Sequence, residues 1–134
     1  MPVYDYGSGK AKEDPDLYRI LAVPSTLSLW HLAELIVQAF EFDFDHMFGF
    51  FDNIYHPWKS KIEYSEKLQS VSVEALFEEK KKKWCFLYDF GDEWRFWISR
   101  VKKTKPEADA EYPKIVESKG EPPEQYPDEE GEEE

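Results

Sequence analysis

The sequence predicts an α+β domain: a largely antiparallel sheet with a central aromatic hairpin covered by one main helix. Three observations carry that expectation. Residues 87–98, Leu-Tyr-Asp-Phe-Gly-Asp-Glu-Trp-Arg-Phe-Trp-Ile, are two apolar and aromatic runs joined by Gly91-Asp92, the residue types that a two-residue turn with positive φ requires. With Phe90 and Glu93 flanking that turn, Cys85 pairs with Ile98, Phe86 with Trp97, Leu87 with Phe96 and Asp89 with Trp94, so both hairpin faces are apolar. A strand pair apolar on both faces must be covered on both, which places it at the centre of the sheet. The second observation is the spacing of Leu29, Leu32, Ala33, Ile36, Ala39 and Phe40 at intervals of three and four, behind Ser28 as N-cap; this is one apolar stripe of a helix. The third is composition, 134 residues with 41% hydrophobic and 17% aromatic side chains, enough bulk for one sizeable core.

The remaining elements follow in chain order. Val3 to Tyr6 reads as a short edge strand, with a loop to Asp16. Leu17 to Val23 is a strand closed by Pro24, which has no N–H to continue a ladder. Trp30 and Val37 widen the helical stripe, which ends near Phe40. Glu41 to Asp45 is an acidic turn and His46 to Phe51 the next strand, in which Gly49 marks a bulge or the close approach of another backbone. A loop from Asp52 to Lys61 leads to a short strand at Ile62 to Tyr64. Ser72 then caps one or two helical turns through Ala75, Leu76 and Phe77. A charged connector, 78–83, enters the hairpin, whose second strand ends near Val101; 102–111 is a polar loop and Tyr112 to Ser118 a last edge strand. Residues 1–120 thus form one expected domain. Residues 121–134 hold eight acidic side chains and no basic one, so of the net charge of −12 only about −4 belongs to the rest; such a block is expected to be a solvated, disordered tail.

Several classes are disfavoured at once. No run approaches the roughly 18 apolar residues of a membrane span, so no membrane partner is expected. The lone Cys85, in a strand pattern and without a signal segment, points to a reducing, cytoplasmic compartment. Asp89-Phe90-Gly91 matches the magnesium-binding triplet of protein kinases, but the rest of the kinase motif set is missing.

Three candidate sites remain. His46, Asp89 and Asp92, with Asp43 and Asp45, offer the oxygen and imidazole ligands that suit magnesium, manganese or zinc; the same aspartates serve equally as turn residues. No cofactor is predicted beyond that candidate divalent metal. The predicted register faces Lys83 with Arg100 and brings Lys80, Lys81, Lys82 and Lys83 to the same open end as Arg100, Lys102, Lys103 and Lys105. Such a cluster can hold phosphates, although Glu78, Glu79 and Glu107 dilute it. Trp58 and Tyr55, with Trp30 and Phe44, are surplus to the core pattern and suit anchors for a protein partner. His31 and His56 read as surface residues.

Leu17-Tyr18-Arg19 with Val23-Pro24, Ser28-Leu29 and Leu32, Phe40 to Phe42 with Asp45-His46-Met47 and Phe50, the block Tyr88-Asp89-Phe90-Gly91-Asp92-Glu93-Trp94, and Tyr112-Pro113 with Gly120 and Pro122-Pro123-Glu124 resemble, in order, the Ri-plasmid ORF-three-like family of plasmids, mobile elements and prokaryotic chromosomes. The resemblance spans residues 17–124, and the block from Tyr88 to Trp94 is its most specific part. It implies an α+β fold with a largely antiparallel sheet and no established activity, with a resolvase-like label on some insertion-element members. Ala33, Glu41-Phe42 and Phe96 stand where the family carries a histidine, a Gly-Trp pair and another histidine, so of three recurring histidines His46 alone remains. Gln125-Tyr126 likewise replaces a carboxylate. These departures weaken an enzymatic reading. The expected function is a small interaction module with a protein partner and no catalytic site. The alternatives are a nucleic-acid-associated accessory protein of a mobile element and a divalent-metal-dependent hydrolase or nuclease.

Overall fold

The computed structural model describes residues 2–7, 17–77, 83–91, 93–103 and 112–122, with 2–7 and 101–103 described by their backbone alone. Among these residues seven strands form one sheet: β1 (Pro2–Gly7), β2 (Tyr18–Ala22), β3 (Phe48–Phe51), β4 (Glu63–Tyr64), β5 (Lys83–Tyr88), β6 (Trp94–Lys103) and β7 (Lys114–Lys119). Their order is β4-β3-β5-β6-β1-β2-β7, and every pairing is antiparallel. The helices are α1 (Leu29–Ala39) and a single turn, α2 (Glu74–Phe77). The α+β class, the antiparallel sheet, the central hairpin and the main helix stand as expected.

The hairpin register does not. Tyr88 pairs with Trp94, Leu87 with Arg95, Phe86 with Phe96, Cys85 with Trp97 and Trp84 with Ile98, one residue away from the expected pairing. A five-residue connection, 89–93, replaces the two-residue turn, and positive φ falls on Asp89 (66°) and Glu93 (56°) rather than on Gly91. The Glu93 amide donates to the Asp89 carbonyl, and the Gly91 amide donates to Asp89 Oδ1 at 3.1 Å. A one-residue slip turns every side chain of the second strand to the other face. Trp94, Phe96 and Ile98 therefore join Trp84, Phe86 and Tyr88 on the α1 side, while Trp97 joins Cys85 and Leu87 on the other. Lys83 faces Ser99, not Arg100.

Both faces are covered, as an apolar hairpin demands. On one, Leu29, Leu32, Ala33, Ile36 and Val37 of α1 share a cluster with Phe40, Phe86, Phe96, Ile98, Val73 and Leu76. Each fully buried aliphatic or aromatic side chain there contributes on the order of 2 kcal/mol. On the other, Phe51, Cys85, Leu87 and Trp97 are covered by Ile54 and Phe90.

Two strand positions differ from expectation. β1 is not an edge: it lies between β6 and β2, pairing with 97–103 along the edge of β6 opposite β5. β6 accordingly continues past Val101 to Lys103. Gly49 marks no bulge, since 48–51 pair continuously with 85–88. A Cβ there would lie 2.9 Å from Phe51 Cε1 and 3.3 Å from Ser65 Cβ, so the close approach is by side chains. β7 is an edge, as expected, and β4 is the other.

Candidate functional site

His46 and Asp89 come together at the end of β5. Tyr88, the last residue of that strand, is fully buried, and its hydroxyl organises the incoming chain. It accepts from the amides of Asp45 (2.6 Å) and His46 (3.1 Å) and donates to the Asp43 carbonyl. These bonds hold residues 43–46 against the end of β5, and the Asp89 amide donates to the Met47 carbonyl at 2.8 Å; β3 begins at Phe48 rather than His46. Burial pushes the Tyr88 phenol up from 10.0 to about 12, against the lowering effect of the two amides. The His46 ring lies edge-on to Tyr88 at 5.9 Å, with Nε2 at 3.3 Å from Asp45 Oδ1 and 3.5 Å from Asp89 Oδ2. This geometry can share a proton between imidazole and carboxylate, or supply two ligands to a cation. Asp92 lies outside the described residues, and no set of three such ligands converges among those described.

Beside this segment lies a groove of about 520 Å³ lined by Trp30, Phe44, Met47, Phe48 and Leu68, with Asp45, His46 and Ser65 as its polar residues. Trp30 stands edge-on to Phe44 at 5.5 Å and within 5.3 Å of Phe48, so α1 forms one bank of the groove. Phe44, which the core pattern did not require, packs partly buried against that core.

A second surface lies on the other sheet face. Tyr55 and Trp58, 60% and 56% exposed, are held rather than loose. Tyr55 meets Trp97 edge-on at 5.3 Å; Trp58 meets Phe51 at 5.5 Å and Phe90 at 5.1 Å. Their loop is pinned from within, Asn53 Oδ1 accepting from the amides of Tyr55 and His56 and Asp52 Oδ1 from those of Lys61 and Ile62. It is also pinned to the hairpin: Glu93 accepts from Trp58 Nε1 at 3.4 Å and from Arg95 at 2.9 Å, and Arg95 donates to the Tyr55 carbonyl at 3.3 Å. Sequence reading missed Glu93 and Arg95 as organisers of this surface. The available signal is their i, i+2 spacing, Glu93 ending the hairpin connection and Arg95 entering β6.

Of the lysine cluster, Lys80, Lys81, Lys82 and Lys105 lie outside the described residues, and Lys102 and Lys103 are described by backbone alone. Arg100 rests over the Phe77 ring at 5.6 Å, and Lys83 is exposed one ladder position from where the expected register put it. Met47, 71% exposed and lining the groove, was also missed as a site residue, although Asp45-His46-Met47 carries part of the family resemblance.

Comparison with known proteins adds a family and a fold. A family model described as plasmid pRiA4b ORF-3-like protein matches residues 11–134. A crystal structure of a protein of unknown function, MM3350 from Methanosarcina mazei Go1, has a similar fold at a TM-score of 0.71 and 19% identity, over 90% of this chain and 71% of that one. No curated protein matches the chain.

Proposed function

This chain belongs to the plasmid pRiA4b ORF-3-like family, and from that premise we propose that it is an interaction module that engages a protein partner through Tyr55 and Trp58. One observation carries the reading: two large aromatic side chains are more than half exposed yet fixed by stacking and hydrogen bonds on a pinned loop. Aromatic anchors that are already ordered lose little conformational entropy on docking, which is why such residues dominate binding hot spots.

The test is a photo-crosslinking residue at position 58, with the same residue at the exposed Lys114 as control. A discrete adduct at 58 only, lost when Tyr55→Ala is added, supports the reading; its mass tells a second copy of the chain from another protein. Equal adducts at both positions, or none, would reject it.

The His46 and Asp89 pair supports a second reading, a divalent-cation site. Manganese or zinc would then raise the melting temperature of the wild type but not of Asp89→Asn, because a ligand that prefers the native state stabilises it by mass action.

A further inference from the structure

We infer that the groove between Trp30 and Met47 binds a peptide segment of a protein partner in which an apolar side chain stands next to a lysine or arginine. This second site is independent of the Tyr55 and Trp58 surface. Trp30 packs on Phe48, in the α1-side cluster that also holds Leu68, whereas Trp58 packs on Phe51 and Phe90 on the other side of the sheet. At about 520 Å³ the groove has the size of a real binding cleft, and its floor of Phe48 and Leu68 is apolar.

Charge sets the neighbouring residue of the ligand. Among the described residues Asp45 is the one carboxylate lining the groove, beside His46, and no lysine or arginine lines it. Its side chain is 55% exposed, with Oδ1 3.3 Å from His46 Nε2. An anion entering here meets a like charge, whereas a cation meets the Asp45 carboxylate in a groove also lined by the Trp30 ring. The open shape favours a peptide over a free amine. The rims are Met47, 71% exposed, and Trp30, 37% exposed. A small molecule between them would stay wetted on one side, while a peptide lays its own backbone across both rims. Met47 is a flexible thioether that repacks around differing apolar side chains.

The experiment is a synthetic peptide array, probed with the full chain, in which Leu, Phe or Met is followed by Arg, Lys, Gln or Glu, with phenethylamine as the free-amine probe. Binding should rank Arg and Lys above Gln and Gln above Glu. Asp45→Asn should lower the preference for Lys over Gln by about 4-fold, the modest size reflecting the exposed carboxylate. Trp30→Ala should lower binding by roughly 30-fold. Met47→Glu, at an exposed position that the fold does not need, should lower it by about 10-fold with an unchanged melting temperature. Trp58→Ala should leave it intact, which separates this site from the other surface. The inference is overturned by no preference for a basic neighbour, by binding that survives Met47→Glu or is lost in Trp58→Ala, or by phenethylamine binding as tightly as the best peptide.

Discussion

Tyr88 shows how one atom positions a site. The hydroxyl of this buried side chain serves two amides and one carbonyl of residues 43–46. Tyr88→Phe strands those three backbone groups and should cost about 1–3 kcal/mol in urea unfolding, with faster amide exchange at Asp45 and His46. The phenol also couples stability to pH. Its pKa is raised from 10.0 to about 12, chiefly by burial, so above pH 10 the unfolded chain gives up a proton that the native chain keeps. The stabilisation it lends is complete below pH 10 and is lost as pH rises toward about 12. Cys85 behaves with the same sign: burial pushes its thiol from 9.0 to about 12. A disulfide reagent at pH 8 should therefore label it only at the rate of unfolding. Rapid labelling of the folded protein would show that the Phe51, Leu87 and Trp97 cluster does not seal it.

At the scale of elements, α1 is fastened at each end by a different strategy. Its start is local: Ser28 Oγ accepts from the His31 amide at 3.1 Å, and Ser28 also bridges to Ser72. Ser28→Ala should cost about 1 kcal/mol. Its end is tertiary. The last turn has no basic residue of its own, and Arg19 of β2 supplies the charge, with Nε donating to the Ala39 carbonyl at 3.0 Å and the guanidinium stacked 4.8 Å above Phe40. The same group donates to the Tyr18 and Lys119 carbonyls, joining α1, β2 and β7. Arg19→Met should cost about 2 kcal/mol or more, exceeding Ser28→Ala in the same denaturation series; a smaller loss would mean that water replaces Arg19 at the helix end. Ser28 was legible because a cap acts within three residues. Arg19 was not, because the carbonyl it serves is twenty residues away. In β3, Gly49→Ala should cost about 1–3 kcal/mol, since a methyl group there would press on the Phe51 ring.

For the whole molecule, charge is distributed unevenly along the chain, with eight of its acidic side chains in residues 121–134. We propose that these residues lie outside the folding unit. A chain ending at Gly120 should then melt within about 2 °C of the full chain and, freed of those charges, should bind heparin more tightly at low salt than at high. A larger drop in melting temperature would mean that the acidic segment is part of the fold. Salt-independent heparin binding would remove the phosphate-binding reading of the Lys80 to Lys105 cluster. The two surfaces described above lie on opposite faces of one sheet, so they can be mutated separately and occupied together.

Periodicity and turn residues alone determined the class of fold, the helix and its N-cap, the strands within a residue or two, and the hairpin at the centre, because each of those follows from spacings along one short stretch. Tyr55 and Trp58 were legible as surplus aromatics by the same arithmetic. Register, the interior place of β1 and the convergence of His46 with Asp89 were decided only by tertiary structure. A hairpin loop of two residues or of five satisfies the same sequence pattern, and the choice between them depends on which face each strand must bury against α1. A groove lined by Trp30, Met47 and Leu68 joins three separate stretches of the chain, and residues 43–46 beside it are held by the Tyr88 hydroxyl, more than forty residues away.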